Sequence, residues 1–140
     1  PTDGWTLDDL AADVLALMDH LGVNRAAVAG CSIGGMIAQR MATLAPSRIA
    51  GLFLSNTAMK VGTDESWAAR IKGVTEHGLR GFATQIMDRW FAPAFRASDE
   101  ARAWETMLMR GDDTGYIGTC RVLASADLRT TSLAIACPVL

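Results

Sequence analysis

Cysteine and histidine are scarce in this chain, and the few present lie far apart. Cys31, Cys120 and Cys137 are three among 140 residues, odd in number and without a CxxC pair; His20 and His77 are equally isolated. Disulfide frameworks and zinc sites need paired cysteines or Cys/His clusters at short spacing, so neither a disulfide nor a metal site is expected. The three thiols are read as free, buried groups of a reducing compartment, which places the protein in the cytoplasm. Blocks of like charge are also missing. The 13 Lys and Arg stand against 15 Asp and Glu, giving a net charge of -2, and the arginines are scattered. That balance excludes a nucleic-acid partner. No apolar run reaches the roughly 18 residues of a membrane span, and no basic start or apolar core follows Pro1, so neither a membrane partner nor a secretory signal is expected.

What is there is enough apolar material for one ordinary domain: half the residues are apolar and a fifth are charged. Thr6 and Asp9 have capping-box spacing, and Leu10, Val14, Leu17, Met18 and Leu21 then recur on one helical face until Gly22. The Val- and Ala-rich run over 23–30 predicts a strand covered on both faces, as in a parallel sheet. A helix follows over about 34–45, halted by Pro46, and "IAGLFL" at 49–54 predicts a second buried strand. Strand, helix and strand with short links make a βαβ unit, hence a parallel α/β sheet. From about residue 64 the pattern turns helical, with helices expected over about 65–76, 79–91, 99–110 and 114–126 and Ser98 as an N-cap. This block reads as a lid over a sheet domain. The expected organisation is core over 1–63, helical cap over 64–130, and a return to the core over 131–140, where Pro138, Val139 and Leu140 begin the next strand.

Three glycines crowd one serine where the first strand meets its helix. Gly30-Cys31-Ser32-Ile33-Gly34 fits G-x-S-x-G in the order the motif requires: buried strand, tight turn, helix. To lift a hydroxyl above the end of a sheet, the chain must reverse within very few residues, and side chains two positions either side would collide. Gly30 and Gly34 are expected to remove them, while Gly35, Ala38 and Ala42 give the helix a small face for close packing. Free N–H groups and the positive dipole end of the helix then point at the site, with the Ile33 amide placed to donate to a developing oxyanion. The bland alternative is a serine that merely caps its helix. Neither G-x-G-x-x-G nor a Walker lysine is present, so no nucleotide cofactor is expected, nor a cofactor of another kind.

These residues carry a resemblance. The chain resembles the α/β-hydrolases, and within them the 3-oxoadipate enol-lactonases of aromatic-compound catabolism, through "GCSIGGMIAQRMA" at 30–42, "LFLSNTAMKVGT" at 52–63, "RWFAPAFRASD" at 89–99 and "GYIGTCRVLASADL" at 115–128. The resemblance implies a partial α/β-hydrolase fold with a helical cap, and Ser32 as nucleophile toward a small lactone or ester. It implies opening of a carboxylated enol-lactone, 3-oxoadipate enol-lactone to 3-oxoadipate. Other carboxylesterases, cofactor-free haloperoxidase-like enzymes and a non-catalytic ligand-binding relative stay open beside it.

In such enzymes an acid and then a histidine follow the serine in chain order. By resemblance the acid follows the strand that begins at Pro138, and the second oxyanion donor precedes Pro1. The chain is therefore expected to be an internal part of a longer hydrolase, inactive alone and exposing unpaired sheet edges. Inside it, His20 is read as a surface or packing residue, and His77, next to Gly78, as one suited to a helix C-terminus. Ser55, Asn56 and Thr57 follow the second strand where some relatives carry the acid, and none is acidic. Asp127 is read as a cap or ion-pair member. A carboxylated substrate calls for an arginine, with Arg70, Arg89 and Arg121 unranked; Trp90 and Trp67 are candidates for an apolar substrate wall.

Overall fold

Thr6 opens the first helix, α1 (Leu7–His20), through both halves of a capping box. The Asp9 N–H donates to Thr6 Oγ1 at 3.2 Å, and the Thr6 N–H donates back to Asp9 Oδ2 at 2.8 Å. The far end closes at Gly22, whose φ of 67° suits a residue with no β-carbon. The Gly22 N–H reaches Asp19 O and the Val23 N–H reaches Met18 O, the two bonds of a Schellman stop. In the computed structural model, which describes residues 4–140, the chain divides into two units: 4–63 with 122–140, and 64–121.

The first unit is built on a βαβ crossover. Strand β1 (Ala26–Cys31), helix α2 (Ile33–Leu44) and strand β2 (Ile49–Ser55) follow in order, with a short 3-10 turn at Pro46–Arg48 after the helix. The strands pair in parallel, Val28 opposite Leu52 and Cys31 opposite Ser55. Residues 138–140 lie along the other edge of β2: the Leu52 N–H donates to Pro138 O and the Leu140 N–H to Leu52 O, both at 2.9 Å. The strand expected to begin at Pro138 is thus paired, and β2 runs between two neighbours.

Helices α1 and α2 cover one face of this sheet. Ala11 and Met18 from α1, Ala38, Met41 and Ala42 from α2, and Ile49 and Leu52 from β2 form one buried cluster. Each fully buried Met or Ile in it contributes about 1.5–3 kcal/mol. The small faces of Ala38 and Ala42 let α2 approach closely. The opposite face differs from expectation. Ala27, Ala29 and Cys31 alternate outward along β1, and Phe53 beside them on β2 is 52% exposed. Because both helices flanking β1 pack on the side of Val28 and Leu54, the strands are covered on one face, not two, among the described residues. The thiols need the same correction. Only Cys120 is buried; Cys31 is exposed and Cys137 half-buried. Burial pushes the Cys120 thiol up to about 11.

The second unit is helical. α3 (Asp64–Trp90) reads as one rod but breaks at Gly78, where φ is 64° and ψ is 172°. The sequence accordingly shows two helices there, split at the glycine. The second half is capped from afar: the Leu79 N–H donates to Asp113 Oδ1 at 2.8 Å. A one-turn helix at Pro93–Arg96, α4, was not foreseen. α5 (Asp99–Met109) starts at Ser98, whose Oγ accepts from the Ala101 N–H at 3.1 Å. α6 (Asp113–Ser125) runs from this unit into the first. Val74, Leu79, Ala83, Ile86 and Leu108 form the core of the helical unit, with Phe82 and Tyr116 against it. No helix among the described residues is long and apolar enough to cross a membrane.

Candidate active site

Strand β1 ends at Cys31 and α2 starts at Ile33, so a single residue makes the turn between them. That residue, Ser32, is exposed and has φ 53° and ψ -122°. Such a backbone costs a residue with a β-carbon roughly 1–3 kcal/mol and persists only where the surroundings hold it. The surroundings hold it at both ends of the residue. The Ser32 N–H donates to Ser55 O at 3.0 Å. Its carbonyl accepts from the Gly35 N–H at 3.0 Å, the Met36 N–H at 3.3 Å and the Thr57 hydroxyl at 2.7 Å.

An N-cap serine has extended dihedrals and accepts a bond from the second or third helical N–H. Ser32 does neither: its side chain makes no cap bond. The hydroxyl is therefore left outside the helix's own hydrogen bonding. The N–H groups of Ile33 and Gly34, at the first turn of α2, have no partner within the helix and sit at its positive end. A hydroxyl beside an unsatisfied, positively polarised pair of donors is an arrangement suited to attack on a carbonyl whose oxygen turns anionic.

The glycines divide the steric task unequally. A β-carbon on Gly30 would lie 2.3 Å from Gly34 O and 2.6 Å from Gly35 N, so only glycine fits beneath the turn. One on Gly35 would lie 2.5 Å from Thr57 Cγ2. Around Gly34 there is open space, and the collision expected there does not occur. The reason is that the helix has already turned away from β1 by its second residue, so position 34 projects outward while the backbone of 34 and 35 crowds Gly30.

Two residues that support this turn carried no expectation. Thr57 was considered only as a non-acid. Gln39, 4% exposed, donates from Nε2 to Gly35 O at 3.2 Å and to Ala58 O at 3.5 Å, and its Oε1 accepts from Ser132 Oγ at 3.0 Å. The signal for Gln39 is a lone amide on the small buried face of α2; for Thr57 there is no local signal, because its partner is 25 residues away.

The remaining candidates fall apart from one another. His20 is the exposed last residue of α1, and His77 is exposed with Nε2 3.9 Å from Glu76 Oε2. Among the described residues no hydrogen bond joins either histidine to Ser32. Asp127 is gripped by Arg129, Nε at 3.0 Å from Oδ1 and Nη2 at 2.5 Å from Oδ2, and these bonds hold its carboxyl down to about 2. In the helical unit Trp67 is buried, with the Arg70 guanidinium 5.3 Å from its ring centroid and Arg70 Nη1 3.4 Å from Tyr116 Oη. Arg70 is half-buried, whereas Arg89 and Arg121 are exposed. Trp90 is 46% exposed and meets Phe91 edge-on at 6.4 Å. Among the described residues, no three His, Cys, Asp or Glu side chains cluster as metal ligands.

The chain is similar to known proteins. A family model described as alpha/beta hydrolase fold matches residues 1–109. The 3-oxoadipate enol-lactonase 2 of Acinetobacter baylyi is 37% identical over 143 residues, covering 100% of this chain and 53% of that protein. A hydrolase from Pseudomonas aeruginosa superposes with a TM-score of 0.92 at 34% identity, over 99% of this chain and 54% of the other. The enol-lactonase of Burkholderia xenovorans LB400 superposes at 0.88 with 30% identity, over 96% and 53%. The chain thus spans about half the length of these relatives.

Proposed function

Because the chain belongs to the alpha/beta hydrolase family, we propose that Ser32 is the nucleophile of an enzyme that opens a small carboxylated enol-lactone, 3-oxoadipate enol-lactone to 3-oxoadipate. The observation that carries this reading is the exposed serine at φ 53°, immediately ahead of a helix whose first donors it does not cap. Ser32 Oγ attacks the lactone carbonyl while its proton passes to a general base, a histidine in this family. The Ile33 N–H donates to the oxyanion of the tetrahedral intermediate. Collapse breaks the ring C–O bond, and the departing enol takes up a proton and becomes a ketone. Water then attacks the acyl-serine ester and frees the second carboxylate.

The ring-opened product carries two carboxylates, and the substrate already carries one. The helical unit offers Arg70, Arg89 and Arg121 as cations of the kind that carboxylate calls for. Trp67 and Trp90 are assigned to the apolar wall.

The test is turnover by the full-length protein of the enol-lactone against p-nitrophenyl acetate. The expected kcat/KM is about 100-fold higher for the lactone. Ser32→Ala lowers kcat on the order of 10⁶-fold for both. A preference for the neutral ester means a carboxylesterase instead. Binding without turnover means a ligand-binding relative, and turnover that survives Ser32→Ala overturns the reading.

A further inference from the structure

The end of β2 and the loop after it grip the turn at Ser32 by both of its backbone groups. Ser55, the last residue of β2, offers its carbonyl to the Ser32 N–H at 3.0 Å. Asn56 then takes φ 46°, the one other left-handed non-glycine residue among those described, and turns the chain back over the start of α2. That turn brings Thr57 Oγ1 to 2.7 Å from Ser32 O. A hydroxyl that donates to this carbonyl opposes rotation about ψ of Ser32, the angle that sets where the next N–H points. The next N–H is that of Ile33.

Gly35 belongs to the same device. Any side chain there would meet Thr57, with Cγ2, Cβ and Oγ1 at 2.5, 2.7 and 2.8 Å from an added β-carbon. The glycine thus admits the threonine to the first turn of α2. Gln39 fastens the next stretch of the loop through Ala58 O and ties it to Ser132. The Thr57 hydroxyl thus acts on the Ser32–Ile33 peptide plane, while the buried Gln39 amide fastens the loop that carries it. A loop with only a packing duty would need none of these bonds to the turn.

We propose that Thr57 is a positioning residue for the nucleophile: its hydroxyl, held on the left-handed turn at Asn56, locks the carbonyl of Ser32 and so sets the directions of the serine side chain and the Ile33 N–H. This rests on the reading of Ser32 as nucleophile. Thr57 touches neither the acyl group nor the oxyanion, so its loss slows the acyl-transfer step while substrate binding is untouched. The effect resides in the hydroxyl, and the methyl packs against Gly35.

The experiment compares Thr57→Val, which keeps the shape against Gly35, with Thr57→Ser, which keeps the donor, in the full-length protein. The pre-steady-state burst with p-nitrophenyl acetate reads acylation of Ser32. Amide hydrogen exchange reads the clamp itself at the Ser32 N–H, which is bonded to Ser55 O. Thr57→Val is expected to slow the burst about tenfold with the apparent Kd for the ester unchanged, and to speed exchange at Ser32 about tenfold. Thr57→Ser is expected to stay within about twofold of the parent in both. Should Val fail to fold there, Thr57→Ala removes the same hydroxyl with less bulk and carries the same expectation. A burst at the parent rate in Thr57→Val overturns the proposal, as does a Thr57→Ser variant as slow as Thr57→Val. If the parent protein shows no burst, the nucleophile reading has failed, and exchange alone decides the clamp: unchanged protection at Ser32 in Thr57→Val overturns it.

Discussion

Gly30 lies so close beneath the start of α2 that a β-carbon on it would stand 2.3 Å from the carbonyl oxygen of Gly34. Both the carbonyl and the neighbouring Gly35 nitrogen, 2.6 Å away, are main chain, so neither can swing aside as a side chain would.

Gly30→Ala is therefore expected to destabilise the protein by about 3 kcal/mol, the upper part of the range for overpacking, because backbone must shift. Urea denaturation checks this. Gly34→Ala, at a site with open space, is the control and should change stability by less than about 1 kcal/mol, in either direction.

Strain at the turn has a measurable sign. Ser32→Ala keeps a β-carbon at φ 53° and leaves stability near that of the parent, whereas Ser32→Gly removes the strain. Glycine also loosens the unfolded chain, which offsets part of the gain. Ser32→Gly is expected to be more stable than Ser32→Ala by about 1 kcal/mol, with neither turning over substrate. Equal stabilities in thermal unfolding would mean that the backbone relaxes when the hydroxyl is lost.

Three exposed carboxylates make the folded state sensitive to acid. Asp8 is held below 3.8 by its hydrogen bonds from Arg40, at 2.6 and 2.7 Å, and Asp9 by those from Thr6. Asp127 is held at about 2 by Arg129. Each is lower folded than unfolded, so each stabilises the folded state fully above the unfolded value of 3.8 and loses that contribution as pH falls through the folded one. Stability measured by urea midpoint should be flat above about pH 5 and fall between about pH 4 and pH 2. Asp127→Asn should remove the part of the slope nearest pH 2. A slope that is the same in Asp127→Asn would show that Arg129 does not hold the carboxylate in solution.

Most of the fold was legible because its signals are local. Thr6, Asp9 and Gly22 mark both ends of α1 within the helix they bound, and Pro46 and Ser98 do the same for α2 and α5. Gly78 divides α3 where the pattern divides. The reading went astray where a residue's environment is set by distant chain. The run of Val and Ala in β1 is apolar on both sides, and composition alone gives no hint that the side of Ala27 and Ala29 lies open. Cys31 shares that side, which is why a thiol expected to be buried is exposed. The tight turn at Ser32 was legible from a five-residue pattern. Its clamp was not, since Thr57 finds Ser32 only after β1 and β2 pair in register, Cys31 beside Ser55.

The long-range cap at Leu79 predicts an order of assembly that refolding experiments can read. Gly78 offers no side chain to cap the helix that follows it, and the carboxylate that does so arrives from Asp113, 34 residues downstream. Residues 79–90 thus begin without a local nucleation signal, and closing a loop of that length precedes their consolidation. The helical unit should therefore assemble from Asp113 backward, with the rod after the glycine among its last parts to gain protection during refolding.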